Sequence, residues 1–234
     1  MKVMVTGSHG LVGTPLVDHL NYRGHEVVSY DLKEGCDTLN HRTLARYMAG
    51  CDVVVHLSAI AWPHPHKDWY QFWRHNCLAV QEVAATSVAS GVKRLVFTSS
   101  TAYYGFEANV PLRINAPAKE GEQHISQYLR ADDLAEVTPQ AVYYIQSKVI
   151  AENILAVYGL TKMLQVAVLR LCPVRGDPYL GLNVYNENVT PALVKLVETD
   201  REMWYEAFNL ANPSVDLIDT GKWDTFWGDE WQYC

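Results

Sequence analysis

The order of apolar and polar segments constrains the fold of this chain more than any other feature. Short apolar runs alternate with longer helical segments from the first residues onward. The predicted strands span residues 2–6, 26–30, 52–57, 94–99, 164–171 and 205–210. The predicted helices span residues 11–22, 41–49, 69–90, 142–158 and 190–198. Such alternation is typical of α/β proteins, and we predict a Rossmann-type, doubly wound parallel sheet.

Charge and composition argue against several classes of protein. The net charge of −7 leaves no basic surplus with which to bind nucleic acid or an anionic membrane, so we expect neither partner. No segment approaches the roughly 18 apolar residues of a membrane span, and residues 1–6 enter a strand instead of a signal peptide. The five cysteines are scattered without a C-x-x-C pair, which argues against a disulfide framework and a thiolate zinc site. We therefore expect a cytoplasmic protein.

Three glycines, Gly7, Gly10 and Gly13, lie between the first predicted strand and the first helix. Glycine leaves no Cβ where the backbone must approach a pyrophosphate, and the helix N-terminus directs N–H groups at it. The spacing departs from G-x-G-x-x-G, so the turn alone is weak evidence. Asp31, at the end of the second strand, is placed to accept from ribose hydroxyls and to repel a 2′-phosphate, although an aspartate there is also a common turn former. We expect NAD instead of NADP, a preference that nearby Lys33 weakens.

Tyr144 and Lys148 lie four residues apart in a predicted helix, and therefore on one face. A phenol ordinarily ionises near pH 10, so it serves as a base at neutral pH only when a cation stabilises the phenolate. Lys148 supplies that cation, and Ser100 follows the fourth strand, where its hydroxyl can bond the same substrate oxygen. A single Tyr–Lys pair is usually an ordinary surface pair, but the three groups together with the glycine turn indicate hydride transfer.

Taken in order, these motifs resemble the extended short-chain dehydrogenase/reductases of the NAD-dependent epimerase/dehydratase family. The similarity runs from Met1 to about Asn212. It is carried by residues 5–13, Asp31, Asp37 after a third strand, residues 55–59 at a fourth, Asn76, residues 97–105, residues 144–148 and residues 169–171. The nearest subfamily is that of the uronate dehydrogenases, which oxidise a free sugar acid at C1.

The resemblance implies a role for each matching residue. Tyr144 is the acid/base, Lys148 its electrostatic partner, Ser100 the catalytic hydroxyl, and Asn76 supports the active-site helix. Asp37 borders the adenine, and the backbone near residues 57–59 lines the cofactor. The complete set expected at the cofactor is Gly7, His9, Gly10, Leu11, Val12, Gly13, Asp31, Asp37, Leu57, Ser58, Ala59, Thr98, Tyr144 and Lys148.

Departures from the family pattern narrow the chemistry. Sugar-nucleotide dehydratases place Asp-Glu directly after the catalytic hydroxyl, whereas Thr101 and Ala102 stand here, so dehydration lacks its acid and base. The asparagine common after the sixth strand is Pro173, and residues 176–190 are few beside the insertions that hold a nucleotide diphosphate. Three uronate-contacting positions also differ. They fall on Leu182, Thr101 and Ala61, so free uronate as the substrate is doubtful.

The substrate side is expected near Ser100, Thr101, Trp62, His64 and Arg175. The stretch Trp62-Pro63-His64-Pro65-His66 could bind a metal through its two histidines, but no acidic or cysteine ligand accompanies them. We therefore expect no metal and interpret the stretch as a loop lining the substrate cleft. Arg175 could bind an anionic group, although loop arginines are more often solvated.

These observations together predict the organisation of the chain. Residues 1–172 form a NAD-binding domain that carries the catalytic groups, and residues 173–234 form a reduced substrate-binding cap that includes the returning helix and strand. The stretch from Gly105 to Val142 is expected as a long loop with a short helix near residues 126–135. We predict an enzyme acting on a small sugar-like alcohol or carbonyl, as a homodimer or larger homo-oligomer. A sugar epimerase and a non-catalytic dinucleotide-sensing protein are the alternatives.

Overall fold

The computed structural model describes residues 1–105, 117–121, 137–174, 183–213, 215 and 217–232. In this part of the chain a six-stranded sheet has the order β2-β1-β3-β4-β5-β6, and each neighbouring pair is parallel. The strands are β1 Lys2–Thr6, β2 Glu26–Tyr30, β3 Val53–His56, β4 Arg94–Ser100, β5 Gln165–Leu171 and β6 Trp204–Leu210. The predicted Rossmann-type fold is confirmed. Since β2 and β3 flank β1 on opposite sides, the strand order reverses there and opens a crevice at the carboxyl ends of the strands.

The helices in the described residues are α1 Gly13–Tyr22, α2 His41–Met48, α3 Trp69–Phe72, α4 Ala79–Ala89, α5 Pro139–Leu160, α6 Asn186–Glu198 and α7 Gly221–Trp227. Helices α1 to α6 lie between successive strands as crossovers, and α7 follows β6. The predicted single helix over 69–90 is interrupted by a π-helical turn, Trp73–Leu78. Such turns within α-helices are frequent at functional sites.

Helix α5 begins at Pro139, three residues before the predicted start. Thr138 accepts a hydrogen bond from the backbone of Ala141, and Pro139 occupies the first helical position, where its missing N–H is no loss. The predicted helix near 126–135 lies outside the described residues.

The family pattern placed Asp37 after a third strand and residues 55–59 at a fourth, and this expectation is wrong. Between β2 and β3 the described chain forms a 3₁₀ turn, Leu32–Glu34, and α2, so that Val53–His56 is the third strand. The turn forms because Asp31 accepts from the backbone N–H of Lys33 and Gly35 takes the left-handed conformation that ends it.

Two apolar layers cover the two faces of the sheet. One is packed against α2, α4 and α5 and includes Met4, Leu44 and Leu155. The other is packed against α1, α6 and α7, and it joins Val3 and Val5 to Leu193 and Trp223 in one buried cluster. The described residues after 172 therefore complete the same core as the first 172, and the covering of a substrate by residues 173–234 stays a prediction.

Two further observations concern membrane-spanning helices and the state of the cysteines. Within the described residues, no helix combines the length and apolarity needed to cross a membrane. Cys36, Cys51, Cys77 and Cys172 are buried free thiols.

Candidate active site

The glycine turn lies at the carboxyl end of β1, beside the start of the loop after β3. Gly7 takes a left-handed φ of +71°, and a Cβ built on it would lie 2.8 Å from the backbone nitrogen of Ser58. A Cβ on Gly13 would overlap the carbonyl oxygen of Gly7, so both positions require glycine for backbone packing. Gly10 closes the turn by donating to the Gly7 carbonyl at 3.0 Å.

Helix α1 starts directly after this turn. Among the described residues, no side chain caps its N-terminus at Val12, and the N–H of Thr14 donates to the Gly10 carbonyl at 3.0 Å. The ten-residue helix also directs its positive dipole end at the crevice. The glycine turn, residues 7–13, and the N-terminus of α1 together form a cradle. This cradle fits the pyrophosphate of a dinucleotide, with Gly10, Leu11 and Val12 beside it.

The carboxylate of Asp31 faces the glycine turn from the end of β2. It accepts from the backbone of His9 at 3.0 Å and from the backbone of Lys33 at 2.9 Å. The Lys33 ammonium donates to the carbonyl of His9 at 2.9 Å, and the His9 ring lies 2.8 Å from a Glu34 oxygen. Lys33 thus bonds a main-chain oxygen and leaves the charge of Asp31 without an ion-pair partner among the described side chains.

Of the remaining residues predicted at the cofactor, Leu57, Ser58 and Ala59 directly follow the carboxyl end of β3. Leu57 donates its N–H to the Thr6 carbonyl, and the Ser58 hydroxyl donates to Thr6 Oγ1 at 3.2 Å. These bonds hold the loop after β3, with half-buried Ala59, against the end of β1. Asp37 lies near the end of β2, where its carbonyl accepts from the Tyr30 hydroxyl at 2.7 Å and its carboxylate accepts from the N–H of Leu39.

Helix α5 carries the predicted phenol and ammonium to the carboxyl end of β4. Lys148 Nζ donates to the Thr98 carbonyl at 3.2 Å and lies 5.8 Å from the centre of the Tyr144 ring. Tyr144 and Lys148 are only 3% and 4% exposed. Ser100, two residues beyond Thr98, caps the 3₁₀ turn Thr101–Tyr104 by accepting from the N–H of Ala102 at 3.1 Å. The structure thus brings Tyr144, Lys148 and Thr98 into contact and sets Ser100 at the same strand end.

Asn76, in the π-helical turn, connects the helix before β4 to α5. Its amide accepts from the N–H of Ile60 at 2.7 Å and donates to the Ile60 carbonyl at 3.0 Å. The same nitrogen donates to Ser147 Oγ at 2.9 Å, and that hydroxyl donates to the carbonyl of Tyr144 at 2.7 Å. Through Ser147, Asn76 is therefore bonded to the helix turn that lies between Tyr144 and Lys148, and its role in the active site stays a prediction. Ser147 was missed, although a serine beside Lys148 in a helix interior is a detectable signal.

Comparison with known proteins agrees with this geometry. The model of the NAD dependent epimerase/dehydratase family matches residues 3–205. The chain belongs to that family. The predicted family is thus confirmed, and with it NAD as the family's cofactor.

Individual relatives are distant from this member of the family. The UDP-glucose 4-epimerase of Streptomyces lividans is 27% identical over 155 residues, which cover 57% of this chain and 46% of that protein. A complex of MoeE5 with UDP-glucose and NAD has a TM-score of 0.71 at 22% identity and covers 92% of this chain and 77% of its own. A mutated uronate dehydrogenase has a TM-score of 0.70 at 18% identity, covering 98% and 84%. The matches span less than half of the length of the first curated relatives.

A buried histidine at the end of β3 was not predicted. His56 Nδ1 lies 2.7 Å from Thr6 Oγ1, and the ring stacks on Phe97, with 5.9 Å between centroids. Burial lowers the pKa of His56 to about 3, and the charge of Lys148 acts in the same direction. The side chain is therefore a neutral group beneath the crevice. Nothing in the apolar sequence around His56 indicates that the histidine is buried and neutral.

The residues predicted on the substrate side do not form one group. Trp62 is 58% exposed and lies 5.8 Å from the His64 ring, in a loop that Gln140 of α5 contacts at Pro65. Thr101 is fully buried and its hydroxyl donates to the Leu171 carbonyl at 3.4 Å, which directs it toward β5. Arg175 and Leu182 lie outside the described residues. Within the described residues no cluster of three metal-binding side chains occurs.

Proposed function

We propose that the chain is a NAD-dependent oxidoreductase that transfers a hydride between the nicotinamide and a sugar-like alcohol or carbonyl. The observation that carries this proposal is the contact of Lys148 with both the Thr98 carbonyl and the Tyr144 ring at the carboxyl end of β4. That strand end lies next to β3 and the crevice that the glycine turn borders. A structural lysine would have little reason to lie 4% exposed beside a buried phenol.

The proposed chemistry assigns one proton to Tyr144. Its phenol oxygen takes the proton of the substrate hydroxyl during oxidation and returns it during reduction. Lys148 stabilises the phenolate, because a cation near a phenol favours the ionised form. The Ser100 hydroxyl bonds the same substrate oxygen and so orients it toward Tyr144.

The residues that would hold the cofactor are those of the cradle. The backbone of Gly10, Leu11 and Val12 would bind the pyrophosphate, and Asp31 would accept from the ribose hydroxyls of the adenosine. When bound, NAD supplies the acceptor for a hydride and NADH the donor. Lys148 would also bond the nicotinamide ribose.

An epimerase is the second candidate, supported by the sequence similarity to UDP-glucose 4-epimerase. The same phenol and hydroxyl would act, but the hydride would return to the substrate on its other face. Dehydration is disfavoured, because buried Thr101 and Ala102 replace the acid and base that follow the catalytic hydroxyl in dehydratases.

A turnover screen distinguishes these functions. Purified protein is incubated with free aldoses, uronates and nucleotide sugars, each with NAD or NADP, and nicotinamide reduction is followed at 340 nm. Stoichiometric NADH formation supports a dehydrogenase. Product formation without added NAD, with cofactor retained through purification, supports the epimerase. Tight NAD binding without turnover of any substrate would favour the non-catalytic dinucleotide-sensing protein, and Tyr144→Phe controls for contaminating activity.

We also propose that the protein acts as a homodimer or larger homo-oligomer in the cytoplasm. Several apolar side chains on and beside α4 and α5 are exposed. Trp69 lies in α3, Trp73 and Leu78 lie in the π-helical turn before α4, and Val157 lies on α5. Helix α5 packs against α3, the π-helical turn and α4, and we propose the surface that these elements border as the interface. The buried free thiols suit a reducing compartment.

A further inference from the structure

Helix α5 carries a third polar residue on its catalytic side. Glu152 follows Lys148 by one helical turn, and its carboxylate is 1% exposed. Both of its oxygens accept from Arg170 of β5, at 3.0 Å from Nε and 2.7 Å from Nη2. A buried ion pair of this kind is weak evidence for stability, because desolvation of both charges offsets their attraction. A contribution to stability therefore does not by itself explain why Glu152 and Arg170 form a buried ion pair.

The same guanidinium also reaches the turn that follows Ser100. Arg170 Nη1 donates to the Tyr104 hydroxyl at 2.6 Å, and its central carbon lies 3.7 Å from the centre of the Tyr103 ring. Both tyrosines belong to the 3₁₀ turn Thr101–Tyr104, whose N-terminus Ser100 caps. One side chain thus contacts the helix that carries Tyr144 and Lys148 and the turn that begins at Ser100.

The guanidinium is well suited to such a bridge. The planar group bonds Glu152 through Nε and Nη2 and bonds Tyr104 through Nη1. Because the three nitrogens are held in one plane, the positions of Glu152 and Tyr104 relative to each other are fixed together. The Tyr104 hydroxyl lies 3.0 Å from Asn209 Oδ1 of β6, which fixes the turn from its other side. Strand pairing places Arg170 opposite Ser99, next to the catalytic hydroxyl.

We propose that Arg170 is a positioning residue that sets the separation of the Ser100 hydroxyl and the Tyr144 phenol, acting through Tyr104 on one side and Glu152 on the other. This inference rests on the proposed function, since both hydroxyls must bond one substrate oxygen. Misplacement of a reacting group by about 1 Å can lower a rate about 10²-fold, so the bridge acts on the rate of chemistry more than on cofactor binding.

The test compares two variants that each remove one hydroxyl from the surroundings of the ion pair. Tyr104→Phe removes the hydrogen bond between Arg170 and the Ser100 turn and leaves the stacking of Arg170 on Tyr103 in place. Tyr205→Phe is the matched control, because the Tyr205 hydroxyl lies 3.4 Å from Glu152 Oε2 but belongs to β6 and not to the turn. These substitutions avoid the misfolding that loss of one buried charge could cause. For wild type and both variants, kcat, KM, the Kd for NAD and the Tm are measured.

We expect Tyr104→Phe to lower kcat at least tenfold at saturating substrate and Tyr205→Phe to stay within threefold of wild type. The two variants should have similar Tm values and the same Kd for NAD as wild type. Equal kcat values for the two variants, or a loss confined to KM or Tm, would overturn the positioning role while leaving the proposed function intact. Absence of turnover in the wild type itself would instead overturn the proposed function, and this inference with it.

Discussion

Asp31 accepts a hydrogen bond from the backbone N–H of His9, 22 residues away, at 3.0 Å. The bond joins the end of β2 to the glycine turn after β1 and so fixes a negative charge beside the cradle at the N-terminus of α1. A carboxylate held there by the main chain needs little reorganisation to accept from ribose hydroxyls.

We predict that NAD binds more tightly than NADP and that Asp31→Ala erodes the difference. Hydrogen bonds to a charged group contribute about 1.5–3 kcal/mol, so NAD affinity should fall roughly ten- to hundredfold, whereas NADP affinity should fall less because repulsion of its phosphate is relieved. Calorimetric titration of both cofactors measures this. Asp52→Ala removes the same charge where the carboxylate accepts from the N–H of Lys2 at the amino end of β1, and it should leave both affinities unchanged. Equal affinities of the wild type for NAD and NADP would contradict the prediction.

A second prediction concerns the phenol. Tyr144→Phe should lower kcat about 10²- to 10⁴-fold, which is the usual contribution of a general acid or base. The Kd for NAD should stay nearly unchanged. The matched control is Tyr143→Phe, since the neighbouring ring packs against Trp69 and Phe72 instead of Lys148. Steady-state kinetics with the best substrate of the screen measure both variants. A Tyr144→Phe rate within threefold of wild type would assign the acid/base role elsewhere, first to Tyr143.

The sheet could be predicted from the sequence because its strands are short apolar runs and a glycine lies two residues after each of α1, α2 and α4. Local signals for α5 were also present in Thr138 and Pro139, an N-cap residue followed by the favoured first residue of a helix. The predicted start of α6 at residue 190 is wrong, because the helix begins at Asn186 and includes Pro191.

The parts of the site that the sequence did not reveal depend on partners far along the chain. The π-helical turn at Trp73–Leu78 has no distinct periodicity, and the partners of Asn76 are Ile60 and Ser147, 16 and 71 residues away. Similarly, the contacts of Arg170 with Glu152 and Tyr104 exist only once β5, α5 and the turn after β4 are packed. Motif spacing along one chain carries no such information.

A third prediction is that the protein is a dimer or a larger homo-oligomer through the surface formed by α4 and α5. Val80, Val83 and Val149 of these two helices are buried, so the argument rests on exposed Leu78 and Val157. Multi-angle light scattering at micromolar concentration should give at least twice the chain mass. Leu78→Asp should shift the protein toward monomer, whereas Met163→Asp, which changes an exposed residue beyond α5, should not. A monomeric wild type would refute the prediction.

A fourth prediction follows from the buried histidine at the end of β3. The pKa of His56 is lowered by burial to about 3, below the value near 6.5 of an unfolded chain. Above pH 6.5 both states are neutral at this site, and stability is fully present. As the pH falls from 6.5 toward 3, the unfolded chain takes up a proton that the folded chain refuses, so the free energy of unfolding decreases by up to about 1.4 kcal/mol per pH unit.

Urea unfolding of wild type and His56→Phe at pH 7.5, 6.0 and 5.0 measures this contribution. The variant should lose less stability than wild type on going from pH 7.5 to 5.0, by about 2 kcal/mol, even if it is less stable at every pH because Thr6 loses its ring partner. Parallel curves for wild type and His56→Phe would show that His56 does not couple to folding.

The last prediction concerns the size of the substrate. Residues 176–190 are few beside the insertions that enclose a nucleotide diphosphate, and Arg175 is the one arginine between 173 and 190. The described tail is also committed to the core: Trp223 is fully buried against Phe208, and Lys222 pairs with Glu206 at 2.8 Å. Because pockets normally bury most of a small ligand, this cap suits a free or singly charged sugar near Trp62, His64 and Arg175. We expect a higher kcat/KM for such a sugar than for its UDP or dTDP derivative. The opposite order would refute the argument from the short cap and make the epimerase the better proposal.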